Sequence, residues 1–180
     1  MSPTDQTIVR FSTQHKAIKE YIDDLPPRAI YNRIQANDYS IHETIAYLTR
    51  YHHVFLERLN CIKTEVNPFF EVYKPDEDSI FLFTNAKTTG ALLHEMYRLR
   101  NSIEQFLMSL KSDGWNRIGT HASLGKMDVS HWLQFFLLHE SSQLFRVFKM
   151  SCSFWTMQMQ EEGNVIHLPR INHQVTELAG

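Results

Sequence analysis

Apolar residues recur every three or four positions along four long stretches of the chain, the spacing of one buried face of an α-helix. In residues 8–25 the stripe is Ile8, Phe11, His15, Ile18, Ile22 and Leu25, and Pro26 and Pro27 end it. Ser40 opens the second stretch. Ser40 and Glu43 have capping-box spacing, in which the hydroxyl takes the Glu43 amide and the carboxylate reaches back to the Ser40 amide. The core stripe that follows is Ile41, Ile45, Leu48, His52, Phe55, Leu59 and Ile62. A second stripe, rotated by roughly a quarter to a third of a turn, carries Ser40, Thr44, Tyr47, Tyr51 and Arg58. Such a set lines a pocket or marks an ordinary boundary between core and solvent, and the pattern leaves both open. Residues 87–111 form the third stretch, with Leu92, Met96, Leu99, Ile103, Phe106, Leu107 and Leu110 inward and Asp113-Gly114 as its stop. Residues 129–150 are apolar around most of the circumference, which marks a central, buried helix capped by Asp128.

Between the second and third stretches, residues 63–84 break the pattern. Pro68, Pro75 and the acids Asp76, Glu77 and Asp78 separate two aromatic runs, Phe69-Phe70 and Phe81-Leu82-Phe83. These runs pair as a short hairpin, or the segment is a long crossover loop pinned by its aromatics. Residues 115–127 read as a glycine-punctuated loop, residues 151–160 continue the last helix less regularly, and the remainder is a surface tail. The expected architecture is all-α: an up-down-type four-helix bundle over residues 1–162, with a long connection between helices 2 and 3 and an extra C-terminal segment at 163–180.

Composition narrows the function classes. Apolar residues make up 43% of the chain and charged residues 21%, as in soluble globular domains. The net charge of -2 gives no reason to expect nucleic acid or an acidic membrane as partner. The N-terminus lacks an apolar h-region, and no run approaches 18 apolar residues, so neither a signal peptide nor a membrane span is expected. Cys61 and Cys152 fit a reducing compartment, and the expectation is a cytoplasmic protein, with a homodimer left open. Phosphate loops, paired CxxC motifs, G-x-S-x-G and HExxH are all missing from the sequence.

Ten histidines raise the question of a metal. His15 and His52 fall on apolar stripes and read first as buried, hydrogen-bonded core histidines; His53 and His94 point away and read as solvated. His121 lines a pocket mouth or braces its turn. On the central helix Trp132, Phe135, His139, Gln143 and Arg146 share one face. A His and a Gln four apart can hold one ligand between them, although a core helix with internally paired polar groups is the plainer reading.

Two stretches resemble the DinB/YfiT-like family of small four-helix bundles. Tyr39–Leu48, YSIHETIAYL, resembles the family's W-S-x-x-E-x-x-x-H-L. His121–Gly125, HASLG, followed by Leu138–Leu144, LHESSQL, resembles H-x-x-x-G leading to H-x-x-x-H-L. The resemblance covers roughly residues 8 to 150 and implies a divalent metal held by one His of the second helix and two of the fourth. Those positions are Tyr47, His139 and Gln143 here. An amide oxygen is a weak donor for Zn²⁺ or Ni²⁺, and a phenol must lose its proton to bind well. The implied site is therefore degenerate, with no cofactor or a weakly held divalent metal. Tyr47, Tyr51, His121, Trp132, His139, Gln143 and Arg146 are then expected to line a polar pocket for a small molecule, in a binding or interaction protein without strong catalysis. The alternative is a metal-dependent hydrolase or thiol transferase using a metal near His139.

Overall fold

The computed structural model describes residues 3–162. The expected tail at 163–180 lies outside the described residues. The element order is α1 (Asp5–Thr13), α2 (Ala17–Ile22), α3 (Pro27–Tyr31), α4 (Ile41–Thr64), β1 (Phe69–Phe70), α5 (Ser79–Asn85), α6 (Thr89–Met108), α7 (Ser112–Trp115), β2 (Ile118–His121), β3 (Gly125–Asp128) and α8 (Val129–Glu162). The bundle is built from α1–α2 taken together, α4, α6 and α8, so the all-α four-helix expectation holds, with a small sheet added to it.

Local chemistry explains where the helices begin. Ser40 caps α4 through a complete capping box: its Oγ accepts from the Glu43 amide at 3.1 Å, and Glu43 Oε2 accepts from the Ser40 amide at 2.8 Å. Thr88 caps α6 by accepting from the Ala91 amide at 3.3 Å. Asp128 caps α8 by accepting from the His131 amide at 2.9 Å. From there α8 runs unbroken for 34 residues, about 50 Å, through the less regular stretch at its end.

Four sequence expectations are corrected. The first helix is not continuous over 8–25, because a 3-10 turn at Gln14–Lys16 separates α1 from α2. The Thr13 hydroxyl donates back to the Val9 carbonyl at 2.8 Å, a bond that bends helices. The inward stripe survives the bend: Phe11, His15, Ile18, Ile22 and Leu25 are all buried. The third helix is shorter than 87–111, and Ser112–Trp115 is a separate turn of helix. Phe69-Phe70 and Phe81-Leu82-Phe83 do not pair with each other. Asp78 caps α5 by accepting from the Ile80 amide at 3.0 Å, so the second aromatic run is helical and buries only Phe81. Finally, residues 115–127 are not simply a loop. They contain the antiparallel pair β2–β3, and β1 adds to β2 in parallel with Phe69 opposite Thr120 and Phe70 opposite His121.

Two apolar clusters fill the bundle, and α4 serves both. One gathers Phe55, Leu59, Ile103, Trp132 and Phe136; the other gathers Ile45, Leu48, Leu92, Met96, Leu144 and Val147. Among the described residues no helix is long and apolar enough to cross a membrane. Both cysteines are free.

Candidate functional site

Positions 47, 51 and 58 are four and seven residues apart, so Tyr47, Tyr51 and Arg58 project from one face of α4. The facing stretch of α8 carries Trp132, Phe135 and His139, also at helical spacing. β2 supplies His121, and the connection after β1 supplies Tyr73. The rings interlock. Those of Tyr47 and Tyr51 are 6.1 Å apart, the His139 ring lies 5.5 Å from Tyr47 and 4.2 Å from Tyr51, and Tyr73 is within 5.8 Å of both tyrosines. Further along, His121 sits 5.7 Å from Trp132 and 5.4 Å from Phe135. The backbone amide of Ser123 donates to His121 Nδ1 at 3.2 Å, so this histidine also braces its turn.

Arg58 lies at the inner end of this ring cluster. Its Nη2 donates to the Glu71 carbonyl at 2.6 Å, and its Cζ is 5.5 Å from the Phe70 ring and 5.7 Å from the Trp132 ring. The electrostatics follow from burial and from this one cation. Burial, reinforced by the Arg58 charge, lowers the His139 pKa to about 4, so the ring is neutral at pH 7. His121 is lowered by the same two causes. Burial pushes the Tyr47 phenol well above its ordinary range, and the neighbouring phenols of Tyr51 and Tyr39 push it further. Tyr51 is raised by burial, with Arg58 opposing.

The structure thus brings Tyr47, Tyr51 and His139 into contact and sets His121 and Trp132 beside them. Gln143 is half-buried one turn further along α8, and its side chain makes no hydrogen bond to another described residue. Arg146 is turned away from the cluster: it donates to Asp38 Oδ1 at 2.8 Å and covers the Tyr39 ring at 5.6 Å, because an exposed carboxylate is available to it there. His53, expected to be solvated, is half-buried and bonded to Glu95 at 2.8 Å. Three cavities of about 470, 370 and 300 Å³ open elsewhere, beside His15 and Tyr97, beside Phe11 and Trp115, and beside Tyr21 and Phe148.

Behind His139, a polar network occupies the bundle interior, of which the sequence pattern predicts only His52. Glu140 is fully buried and pairs with the buried Arg100. Gln14 Nε2 donates to Glu140 Oε2 at 2.8 Å, and the Arg100 guanidinium stacks on Phe11 at 4.2 Å. His52 Nδ1 donates to the Leu48 carbonyl at 2.7 Å, which leaves Nε2 an acceptor 3.5 Å from Glu140 Oε1. Nothing in a periodicity distinguishes Gln14, Arg100 and Glu140 from solvated residues, whereas His52 is the buried, hydrogen-bonded histidine that its apolar stripe predicts. Arg58 was better signposted, since it shares the stripe of Tyr47 and Tyr51.

A divalent metal does not suit the Tyr47, His139 and Gln143 set. The Tyr47 phenol is held protonated by its burial, one imidazole and one amide remain, and a buried guanidinium stands in the same cluster. Among the described residues no three His, Cys, Asp or Glu side chains are grouped so as to hold a metal ion.

Comparison with known proteins bears on the fold. No curated protein matches the chain. Among solved structures, YfiT from Bacillus subtilis is similar, with a TM-score of 0.72 at 13% identity over 83% of this chain and 86% of that one. YfiT is described as "a probable metal-dependent hydrolase with an unusual four-helix bundle topology". At that identity the likeness is one of fold. The model of the DinB superfamily matches residues 10–142, the segment from α1 to α8 that builds the bundle and the ring cluster, and this protein belongs to that superfamily.

Proposed function

We propose that this chain is a DinB bundle that binds a small molecule at the ring cluster between α4, α8 and β2, and that it does not act by strong metal catalysis. One observation carries the reading. Where the family resemblance calls for the first metal-binding histidine stands Tyr47, whose phenol is kept protonated by burial among other rings. A neutral phenol is a poor ligand for Zn²⁺ or Ni²⁺. The same chemistry makes a good recognition surface, because Tyr presents an apolar face and a hydroxyl in one rigid side chain.

Calorimetric titration of Zn²⁺ and Ni²⁺ into untagged protein tests this. The wild type should bind weakly or not at all, and Tyr47→His/Gln143→His should gain a site, since three imidazoles with open positions for water make a workable metal centre. Tight, stoichiometric binding by the wild type would reject the reading. The alternative would then take its place: a metal-dependent hydrolase or thiol transferase with its metal near His139. That alternative draws support from His139 Nε2, a buried nitrogen with no hydrogen-bond partner, and from the description of YfiT.

A further inference from the structure

Arg58 is a buried cation without a counterion. It is 7% exposed, yet no carboxylate lies within ion-pair distance of it among the described residues. Every other buried arginine among the described residues has one: Arg100 has Glu140, and Arg50 has Asp78. Glu57, next to Arg58 in sequence, is mostly exposed and turned to Arg50 at 3.4 Å. The rings of Phe70 and Trp132 offset only part of the cost of burying the charge. A buried charge left unpaired is strongly destabilising.

A second observation points the same way. Arg58 Nη1 is sealed from solvent and has no hydrogen-bond partner, and so is His139 Nε2 on the facing helix. Tyr51 links the two, packed on His139 at 4.2 Å and interacting through its hydroxyl with the guanidinium. Buried polar atoms are nearly always paired, so two unpaired ones in one ring-walled cluster call for a partner. The partner that meets both needs accepts a hydrogen bond, carries negative charge and has a flat apolar body.

We propose that Arg58 anchors a binding site for a small carboxylate, with the carboxylate on Nη1 and the apolar body of the ligand against the Tyr47, Tyr51 and His139 rings. This rests on the small-molecule reading above and names its ligand class. A single guanidinium among rings matches a monoanion. A phosphate dianion calls for further cations, and among the described residues neither Lys nor a second Arg joins Arg58 in the cluster. In this arrangement the guanidinium supplies the positive charge that a metal supplies in a histidine-ligated bundle, which also explains why a divalent cation is unwelcome there.

Benzoate, benzamide and inorganic phosphate are the probes, titrated into ¹⁵N-labelled protein. The readout is the Trp132 indole N–H, which donates to the Gly119 carbonyl at 3.3 Å and can be assigned by its loss in Trp132→Phe. Benzoate should shift this signal saturably at one site, at least about tenfold more tightly than benzamide, its uncharged counterpart, and than phosphate. Arg58→Gln should lose that preference, while Lys149→Gln on the exposed side of α8 should keep it. Should Arg58→Gln fail to fold, the benzoate-to-benzamide ratio in the wild type still decides. Equal binding of the two overturns the carboxylate proposal and leaves the small-molecule reading standing, as does a preference for phosphate. Absence of saturable shifts with benzoate overturns the proposal too. Tight Zn²⁺ binding by the wild type instead removes the reading beneath it.

Discussion

The Arg100 guanidinium and the Glu140 carboxylate meet in the middle of the bundle with no access to solvent. Burial holds the Glu140 carboxyl above its ordinary range even though Arg100 opposes this, and burial lowers Arg100 to about 10. The pair is therefore expensive to bury and more expensive to break. Glu140→Leu and Arg100→Met, each alone, should cost about 3–5 kcal/mol in urea unfolding, because each leaves one buried charge behind. The double variant should cost far less than the sum. Additive losses would mean that the two groups do not act as a pair.

Acid should unfold the protein through its buried histidines. His15 is lowered to about 3 and His52 well below its ordinary value, burial being the main cause for both. A histidine with a depressed folded pKa contributes stability above the unfolded value of about 6.5, and that contribution is lost as pH falls toward the folded value. Unfolding free energy should fall by roughly 1 kcal/mol per pH unit and per such histidine below pH 6.5. His15→Leu should be less stable than, or equal to, the wild type at pH 7 and should gain on it between pH 6 and 4. A gap independent of pH would show that His15 does not titrate with unfolding.

The capping box should matter for α4 as a whole. Ser40→Ala removes the acceptor for the Glu43 amide and should lower stability by about 1 kcal/mol in thermal or urea melts. Ser40→Asp should recover most of the loss, since a carboxylate caps equally well and suits the positive end of the helix.

Gly119 is closed to any side chain. A Cβ there would meet Ile62 Cγ1 at 2.8 Å and Phe70 at 3.0 Å, and the Ile62 side chain is fully buried. Gly119→Ala should cost about 1–3 kcal/mol through overpacking. It should also move the Trp132 signal, whose hydrogen-bond acceptor is the Gly119 carbonyl. An unchanged indole spectrum would mean that β2 yields without disturbing the site.

The bundle was legible because its signals are long and redundant. The stripe from Ile41 to Ile62, the box at Ser40 and Glu43 and the cap at Asp128 each stand in the structure where the sequence places them. The sheet was not legible. Phe69-Phe70 is two residues long, too short for any alternation to register, and its partner lies on the far side of α6. Phe81 to Phe83 misled because aromatic runs favour strands, while the Asp78 cap favours a helix and prevails. At the site, helical spacing put Tyr47 and His139 on off-centre faces, and contact between the two helices did the rest. Spacing could not foretell that Arg146 would turn to Asp38, because that depends on an exposed carboxylate from a distant segment. Nor could it single out Arg100, which looks like any charged helix residue until Glu140 is placed opposite.

The short parallel pairing of β1 with β2 has a kinetic consequence. It joins segments about fifty positions apart, and closing so long a loop costs entropy before any contact rewards it. Helices α4 and α6 close a loop almost as long, with His53 and Glu95 42 positions apart, but each is a capped helix that forms locally, and their long packed interface rewards the closure where a two-residue strand cannot. The wall formed by Phe70, Glu71 and Tyr73 lies close to Arg58 in sequence, with the Glu71 contact 13 positions away, and its pairing with β2 holds it there. Substitutions in β1 should then speed unfolding and leave the folding rate nearly unchanged, whereas substitutions in the α4–α6 interface should slow folding.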